Sequence, residues 1–262
     1  MDLNLLLTDE QYQEKFAGKH ATPYIYELLT GNQALFYFGV RHSRKPNDPQ
    51  WSQLADAWEK FLATSGDKRI IMFEGGKIPT WEGARDESIS KFGESGALLF
   101  QAQNSGAEFS WPDPTMSQEA DHLHSLFGAS QVAYFFFARS AGAWLRSGTM
   151  GTFEEVLAKA AAATTTRIPG TPTDVSAYKA MHEKVFGHPL EPARQDVLIR
   201  ASAPVYHDSI INDIARADSR FRNERVVTEV ESFWKKGYSI FMLFGAAHAV
   251  IQEPALRALV NG

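Results

Sequence analysis

Residues 34–42 read ALFYFGVRH, and residues 240–248 read IFMLFGAAH. In both stretches an apolar run typical of a buried strand leads into a glycine, and a histidine follows three residues later. The glycine permits a tight turn because it has no Cβ. Open α/β sheets bind ligands beyond the carboxyl ends of their strands. His42 and His248 are therefore predicted to lie in such a crevice.

The segment after the first stretch predicts a strand, helix, strand unit. A helix-start signal at 47–49 precedes apolar residues that recur at helical spacing from Trp51 to Leu62. Residues 69–73 (RIIMF) then form an apolar run that leads directly into Glu74. Two strands joined through a helix pair in parallel with a right-handed crossover. The carboxyl ends of these strands should therefore share one edge of the sheet.

The remaining pattern completes an α/β fold with a mainly parallel central sheet flanked by helices. A short strand is predicted at 107–110, helices dominate from 117 to 186, and a long helix runs from 208 to 234. The alanine and threonine tract at 160–166 predicts a helix that frays into a linker. We expect one domain over residues 1–262, with roughly 94–198 forming a helical insert or cap over the pocket.

Composition bounds the functional class. The 262 residues are 44% hydrophobic and 22% charged with a net charge of −5, as in an ordinary folded domain. The densest basic cluster, residues 41–45, is too short for a nucleic-acid surface, so no nucleic-acid partner is expected. The chain contains no cysteine, which excludes disulfides, thiol catalysis and thiolate metal sites, and fits a reducing compartment.

Localisation follows from the apolar stretches. The N-terminus lacks a basic region and turns acidic too early for a signal peptide. The longest apolar stretches, 132–145 and 238–251, are shorter than the ~20 residues that a membrane-spanning helix needs. We therefore expect a cytoplasmic protein with no membrane partner, and the sequence leaves a homo-oligomer open.

Three predicted strands end in chemically useful side chains: His42, Glu74 and His248. Two imidazoles and one carboxylate form a ligand set of catalytic sites for zinc and other divalent metals that keep a position open for water. The alternative is that the histidines are solvated loop residues and that Glu74 is a turn acceptor. The repeated phrase and the third strand end favour a shared site.

Arg222 is the fourth candidate. On the long helix it lies in register with Val226, Val230 and Phe233, which predicts a partly apolar, inward face. An inward guanidinium needs a carboxylate partner or an anionic ligand, because an unpaired buried charge is costly. Glu74 or a substrate can meet that need. The alternative is that Arg222 extends to water along the helix surface.

Together these residues resemble the TraB/Tiki family within the erythromycin esterase and ChaN-like superfamily. The resemblance covers most of the chain: a Gly-x-x-His after the first strand, a glutamate after the next, the pair Arg222-Asn223 in a late helix and a second Gly-x-x-His near the end. Relatives include metalloproteases, esterases that activate water with histidine and glutamate, and a haem-binding member. The resemblance implies an EreA/ChaN-like fold with His42, Glu74, Arg222 and His248 as the site.

Other motifs carry less chemistry. The stretch 138–142 (ARSAG) imitates a serine-hydrolase elbow, but helical periodicity continues through Ser140. His122 and His124 are two residues apart on a predicted helix and face different directions. Glu94 is expected to cap the start of a helix. Asp113 lies between two prolines and is expected to be a turn residue; the alternative is that it borders the pocket. The remaining histidines, His20, His182, His188 and His207, have no evident partners in the sequence.

The sequence therefore predicts a hydrolase of a peptide, ester or related polar bond in a peptide or small-molecule substrate. His42 and His248 would bind a divalent ion (zinc, manganese or cobalt) or orient water directly. Glu74 would be a metal ligand or general base, and Arg222 would stabilise the developing oxyanion. The alternative is a non-catalytic ligand-binding, haem-binding or regulatory protein with the same fold.

Overall fold

A computed structural model describes residues 1–16, 19–147 and 151–262. The chain forms two compact units. The first comprises Met1–Asp113 and Asn223–Gly262, and the second comprises Pro114–Arg222. The two ranges of the first unit are separated by more than one hundred residues of sequence, so the second unit is an insertion in the chain of the first.

The first unit contains a five-stranded sheet in the order β1-β2-β5-β3-β4. Its strands are β1 (Tyr24–Thr30), β2 (Gln33–Val40), β3 (Arg69–Phe73), β4 (Glu108–Ser110) and β5 (Ser239–Gly245). All neighbouring pairs are parallel except β1 with β2, which form an antiparallel hairpin. The mainly parallel α/β sheet predicted from the sequence is confirmed, and β5 lies between the strands that precede His42 and Glu74.

Helices cover both faces of this sheet. They are α2 (Gln50–Thr64), α3 (Arg85–Ala102), α10 (Ala246–Asn261) and the second half of α9 (Ile210–Lys235), whereas α1 (Asp9–Lys15) packs against α10. Along β5, Phe241 and Leu243 join the core beneath α2 and α3, whereas Ile240, Met242 and Phe244 join the core beneath α9 and α10. A strand buried on both faces needs a continuous apolar run, which explains the sequence of β5.

The described residues of the second unit form helices joined by loops and contain no strand. Its helices are α4 (Met116–His124), α5 (Ala129–Ser147), α6 (Phe153–Arg167), α7 (Val175–Phe186), α8 (Asp196–Ala201) and the first half of α9. They enclose a core of their own that is rich in aromatic residues. The sequence placed the helical insert at 94–198. The structure instead assigns residues 94–113 to the sheet-containing unit and residues up to 222 to the helical one.

One local prediction was wrong. The alanine and threonine tract does not fray, because α6 runs through it to Arg167. The hydroxyls of Thr164, Thr165 and Thr166 each donate to the carbonyl four residues earlier, at 2.8, 3.0 and 2.8 Å. The threonine hydroxyls thus bond to carbonyl groups within the helix, and they do not replace its backbone hydrogen bonds.

Helix α5 runs continuously through Ser140, which confirms the helical interpretation of residues 138–142 over a nucleophile elbow. Within the described ranges no helix is both long enough and apolar enough to cross a membrane.

Candidate functional site

Three of the four predicted site residues meet at the carboxyl edge of the sheet. His42 lies two residues beyond β2, Glu74 directly follows β3, and His248 is in the first turn of α10 directly after β5. His248 Nε2 lies 3.6 Å from Glu74 Oε1. A Cβ on Gly245 would lie 3.1 Å from His42 Nε2 and 3.3 Å from Glu74 Oε2. The side chains of His42 and Glu74 therefore flank the same point.

Backbone groups fix the position of Glu74. Its own N–H donates to the carbonyl of Leu243 at 3.0 Å, and its Oε2 accepts from the N–H of Gly245 at 2.6 Å. Gly245 is the N-cap of α10, so the carboxylate lies at the positive end of a helix. The next residue, Gly75, has φ +82, a conformation that favours glycine, and the chain turns there. Glu74 is thus held as an anion facing the site.

His42 is oriented by a residue that the sequence analysis assigned to another role. Its Nδ1 lies 2.6 Å from Glu94 Oε1. Glu94 was expected to cap a helix, but its carboxylate instead pairs with this imidazole. A carboxylate accepts a hydrogen bond from Nδ1–H, which leaves Nε2 with its lone pair. Nε2 is the atom that faces Gly245 and Glu74, so the pair presents a basic nitrogen to the site.

A kink in α3 makes this pairing feasible. Gly93 has φ 62 and ψ −137 inside the helix, directly before Glu94. A Cβ at Gly93 would lie 3.1 Å from the carbonyl oxygen of Ser43. The glycine therefore allows α3 to pass close to the loop that carries His42. The helix continues after the kink with Glu94, whose side chain contacts His42.

His248 is oriented by a buried chain of hydrogen bonds. Its Nδ1 lies 2.9 Å from Asn223 Oδ1, which also accepts from Gln252 Nε2 at 2.8 Å. Gln252 Oε1 in turn accepts from the hydroxyl of Tyr37 at 3.0 Å. Asn223, Gln252 and Tyr37 are at most 1% exposed. Burial raises the pKa of Tyr37 well above its ordinary value, so the hydroxyl keeps its proton.

This chain determines the tautomer of His248. Because Asn223 Oδ1 is an acceptor, the imidazole must donate through Nδ1–H, and in the neutral ring Nε2 then carries a lone pair. The opposing Glu74 Oε1 is also an acceptor. Two acceptors that face each other at 3.6 Å require a proton, a water hydrogen or a cation between them. The site is therefore built to hold a donor or a cation at this point.

Asp113 borders the same edge. Its Oδ2 accepts from the N–H of Gly75 at 2.7 Å, so it stabilises the turn that follows Glu74. The sequence analysis allowed it either a turn role or a place at the pocket border. The structure shows that it stabilises a turn next to a site residue.

Arg222 belongs to the second unit. There its Nε lies 3.6 Å from Glu119 Oε1, and Glu119 also accepts from Arg139 Nη2 at 2.6 Å. Arg139 Nη1 donates to Asp218 Oδ2 at 2.7 Å. Burial and the neighbouring Asp218 raise the pKa of Glu119, although both arginines oppose that effect. The sequence analysis named Glu74 or a substrate as the partner of Arg222, whereas within its own unit the guanidinium pairs with Glu119.

The inward polar residue of α9 in the first unit is Asn223. It is 1% exposed, as are its helical neighbours Val226 and Val230, which lie three and seven residues later. The sequence analysis quoted Asn223 beside Arg222 without assigning it a role. Its spacing from these two valines was the signal that it faces the core.

The other histidines were judged from the sequence to lack partners. His182 is fully buried and lies 2.6 Å from the hydroxyl of Tyr134. His20 bonds to Tyr12 at 2.8 Å. His122 stacks on Phe221 with ring centroids 4.2 Å apart, whereas His124 is exposed, so the two do not form a chelating pair.

The donor set of His42, Glu74 and His248 matches the chemistry of a divalent-metal site. The three side chains are not spaced as in a formed metal site. Over residues 1–16, 19–147 and 151–262, no group of three or more histidine, aspartate or glutamate side chains is spaced to hold a metal ion.

Comparison of the chain with models of protein families, with curated proteins and with solved structures finds no match in any of the three.

Proposed function

We propose that this protein is a hydrolase that cleaves a peptide, ester or related polar bond with a water molecule activated between His42, Glu74 and His248. The observation that carries the proposal is the convergence of these side chains, with each imidazole held through Nδ1 so that Nε2 is directed to the shared site. Residues far apart in sequence gain such an arrangement only through the fold.

His42 is the general base in this proposal. The Glu94 carboxylate stabilises the positive charge that develops on the ring when Nε2 takes a proton from water. The same contact fixes the ring orientation. This division between a base and a supporting carboxylate is common to hydrolases on unrelated folds.

Glu74 and His248 hold the water opposite the base. Glu74 is anchored by the N–H of Gly245, and its free oxygen and His248 Nε2 together accept one hydrogen of the water molecule, while the other hydrogen is directed to His42 Nε2. The role predicted for Arg222 from the sequence, stabilisation of the oxyanion of the tetrahedral intermediate, stays a prediction.

In a second version of the mechanism, His42 would be a metal ligand and not the base: a divalent ion such as zinc, manganese or cobalt would be held by His42, Glu74 and His248, and would supply a lowered pKa for bound water. The donor chemistry supports this version of the mechanism. The order of the motifs and their places at strand ends support a relationship to the TraB/Tiki family and its EreA/ChaN-like fold.

Glu74→Gln provides the test. Hydrolysis of a panel of peptides and esters is measured for the wild type, Glu74→Gln and the exposed control Glu82→Gln, each with manganese, cobalt, zinc or a chelator. The amide keeps an acceptor for the N–H of Gly245 but removes the charge, so turnover should be lost while thermal unfolding is unchanged.

Equal activity in wild type and Glu74→Gln contradicts the mechanism. The absence of turnover in every protein under every metal, together with tight binding of haem, supports the non-catalytic alternative. Activity that survives the chelator rejects the metal-assisted version and retains the water-activating residues.

A further inference from the structure

The helical unit contains a cavity of 490 Å³ between α5, α7 and the start of α9. Its walls include the apolar side chains of Tyr134, Met181, Val185 and Ile210. Volumes of this size are typical of small-molecule sites, which combine apolar walls with a few placed polar groups. All of its lining residues belong to the second unit, so it is a separate feature from the candidate hydrolytic site.

The polar groups at this cavity favour an anion. Lys184 lines it and has no ion-pair partner among the described residues. The first two residues of α5, Ala129 and Ser130, also line it, and their backbone N–H groups precede the first hydrogen bonds of that helix. Among the lining residues that the structure describes, Asp208 is the only acidic one, and its Oδ2 already accepts two hydrogen bonds from Arg200, at 3.0 and 2.8 Å.

A buried pair beside the cavity has an unused polar hydrogen. Tyr134 lines the cavity, and its hydroxyl lies 2.6 Å from His182 Nδ1, whereas His182 Nε2 is buried without a partner. Burial lowers the pKa of His182 to about 4, so the ring is neutral at pH 7 and carries one N–H. The hydrogen bond between the Tyr134 hydroxyl and His182 Nδ1 uses only one hydrogen, either the ring N–H or the tyrosine O–H, so the other hydrogen has no acceptor in the described part of the chain. Tyr134 lines the cavity and His182 does not, so a ligand in the cavity can pair with the unused hydrogen when His182 Nδ1 carries the ring N–H and the tyrosine O–H is left without an acceptor.

We propose that this cavity is a binding site for a small amphiphilic carboxylate, with its apolar body against Met181, Val185 and Ile210 and its carboxylate at Lys184 and the start of α5. The inference is independent of the proposed hydrolase activity.

The test uses the full chain labelled with ¹³C at its six methionine methyl groups. Decanoate is titrated below its micelle concentration, with decanol as the neutral probe of similar length. The Met181 signal, assigned with Met181→Leu, should shift saturably. Met72 and Met242, buried in the sheet of the other unit, should not shift.

Lys184→Gln and the same-helix control Lys179→Gln test the anion contact. Lys179 pairs with Glu154 and does not line the cavity. Because Lys184 is exposed, its loss should reduce the ratio of decanoate to decanol affinity by about three- to five-fold. Lys179→Gln should leave that ratio unchanged.

Three results overturn the proposal. The first is a Met181 signal that does not respond to decanoate. The second is a response shared equally by Met72 and Met242, which indicates nonspecific detergent-like binding. The third is an affinity ratio that is the same in the wild type and in Lys184→Gln.

Discussion

Replacing Asn223 with leucine tests two roles of this side chain: its contribution to the stability of the fold and its control of the His248 tautomer. Asn223 Oδ1 accepts hydrogen bonds from His248 Nδ1 and Gln252 Nε2, at 2.9 and 2.8 Å, in a place that is 1% exposed. Leucine has a similar volume and no acceptor. Each buried donor left unsatisfied costs roughly 1–3 kcal/mol. Two donors lose their acceptor, so we expect Asn223→Leu to lower the free energy of unfolding by about 2–6 kcal/mol, with the lower part of that range if His248 changes its tautomer.

The second consequence of Asn223→Leu is a change of tautomer. In the wild type, Asn223 requires His248 to carry its hydrogen on Nδ1. Without that acceptor the hydrogen can move to Nε2, where Glu74 Oε1 accepts it. The Nε2 lone pair would then be lost from the site. Hydrolytic activity should fall for that reason, beyond the loss of folded protein.

Two measurements test the predicted changes in stability and tautomer. Urea unfolding gives the free energy, and ¹⁵N spectra of histidine-labelled protein distinguish the Nδ1–H from the Nε2–H ring. Asn223→Asp retains an acceptor and should keep the Nδ1–H tautomer. Gln252→Met removes the link to Tyr37, so it should lower stability and leave the tautomer of His248 unchanged.

The reasoning is refuted if wild-type His248 carries its hydrogen on Nε2, or if Asn223→Leu unfolds within about 0.5 kcal/mol of the wild type. The latter value is typical of surface substitutions that touch no buried network.

Three other predictions concern the two units. Glu94→Gln should lower kcat/KM by about 10- to 100-fold, the usual effect of losing a supporting partner, because the amide keeps an acceptor for His42 Nδ1–H but removes the charge; the exposed Glu87→Gln is the control, and equal rates in the two variants reject the supporting role. Arg222→Ala should impair hydrolysis far more than Arg225→Ala, measured as kcat/KM, and similar losses would return Arg222 to a structural role. The pKa of His182 is depressed to about 4 in the folded chain, so the unfolded state binds the proton first as pH falls. The neutral His182 ring therefore contributes to the free energy of unfolding above pH 6.5, and this contribution of about 3 kcal/mol should be lost as the pH falls toward 4. Urea unfolding of His182→Gln should show a weaker pH dependence, and parallel pH profiles would contradict the assignment.

Apolar runs were sufficient to predict most of the sheet. Residues 69–73 were predicted as a strand and form β3, and the runs around Leu35 and Leu243 form β2 and β5. Such strands are recognisable because burial on both faces leaves no polar positions in them. Strand β1 was missed, since Glu27, Leu29 and Thr30 are not fully buried and its apolar pattern is interrupted. Its signal was the turn residue Gly31 between two apolar segments, with φ +50.

The site was predictable only in part, for a physical reason. A parallel sheet brings strand ends together, so His42, Glu74 and His248 follow from topology. The partners of the two imidazoles do not. Glu94 lies 52 residues after His42 and reaches it through the kink at Gly93, and a single sequence contains no signal for a pairing that depends on a helix changing direction.

The different partners of the two histidines imply different tasks. Glu94 pairs with His42 through a carboxylate, so it can stabilise the charge that the ring gains when it takes a proton. Asn223 is neutral and fixes the tautomer of His248 without adding a charge. His248 Nε2 faces Glu74 Oε1 at 3.6 Å, where a proton on the ring would form an ion pair and exclude a bound water or cation. The neutral ring leaves two acceptors that bind a water molecule or a cation together. The site therefore works as proposed when His42 takes the proton and His248 does not, and the ¹⁵N spectra that report the tautomer also report which ring is protonated.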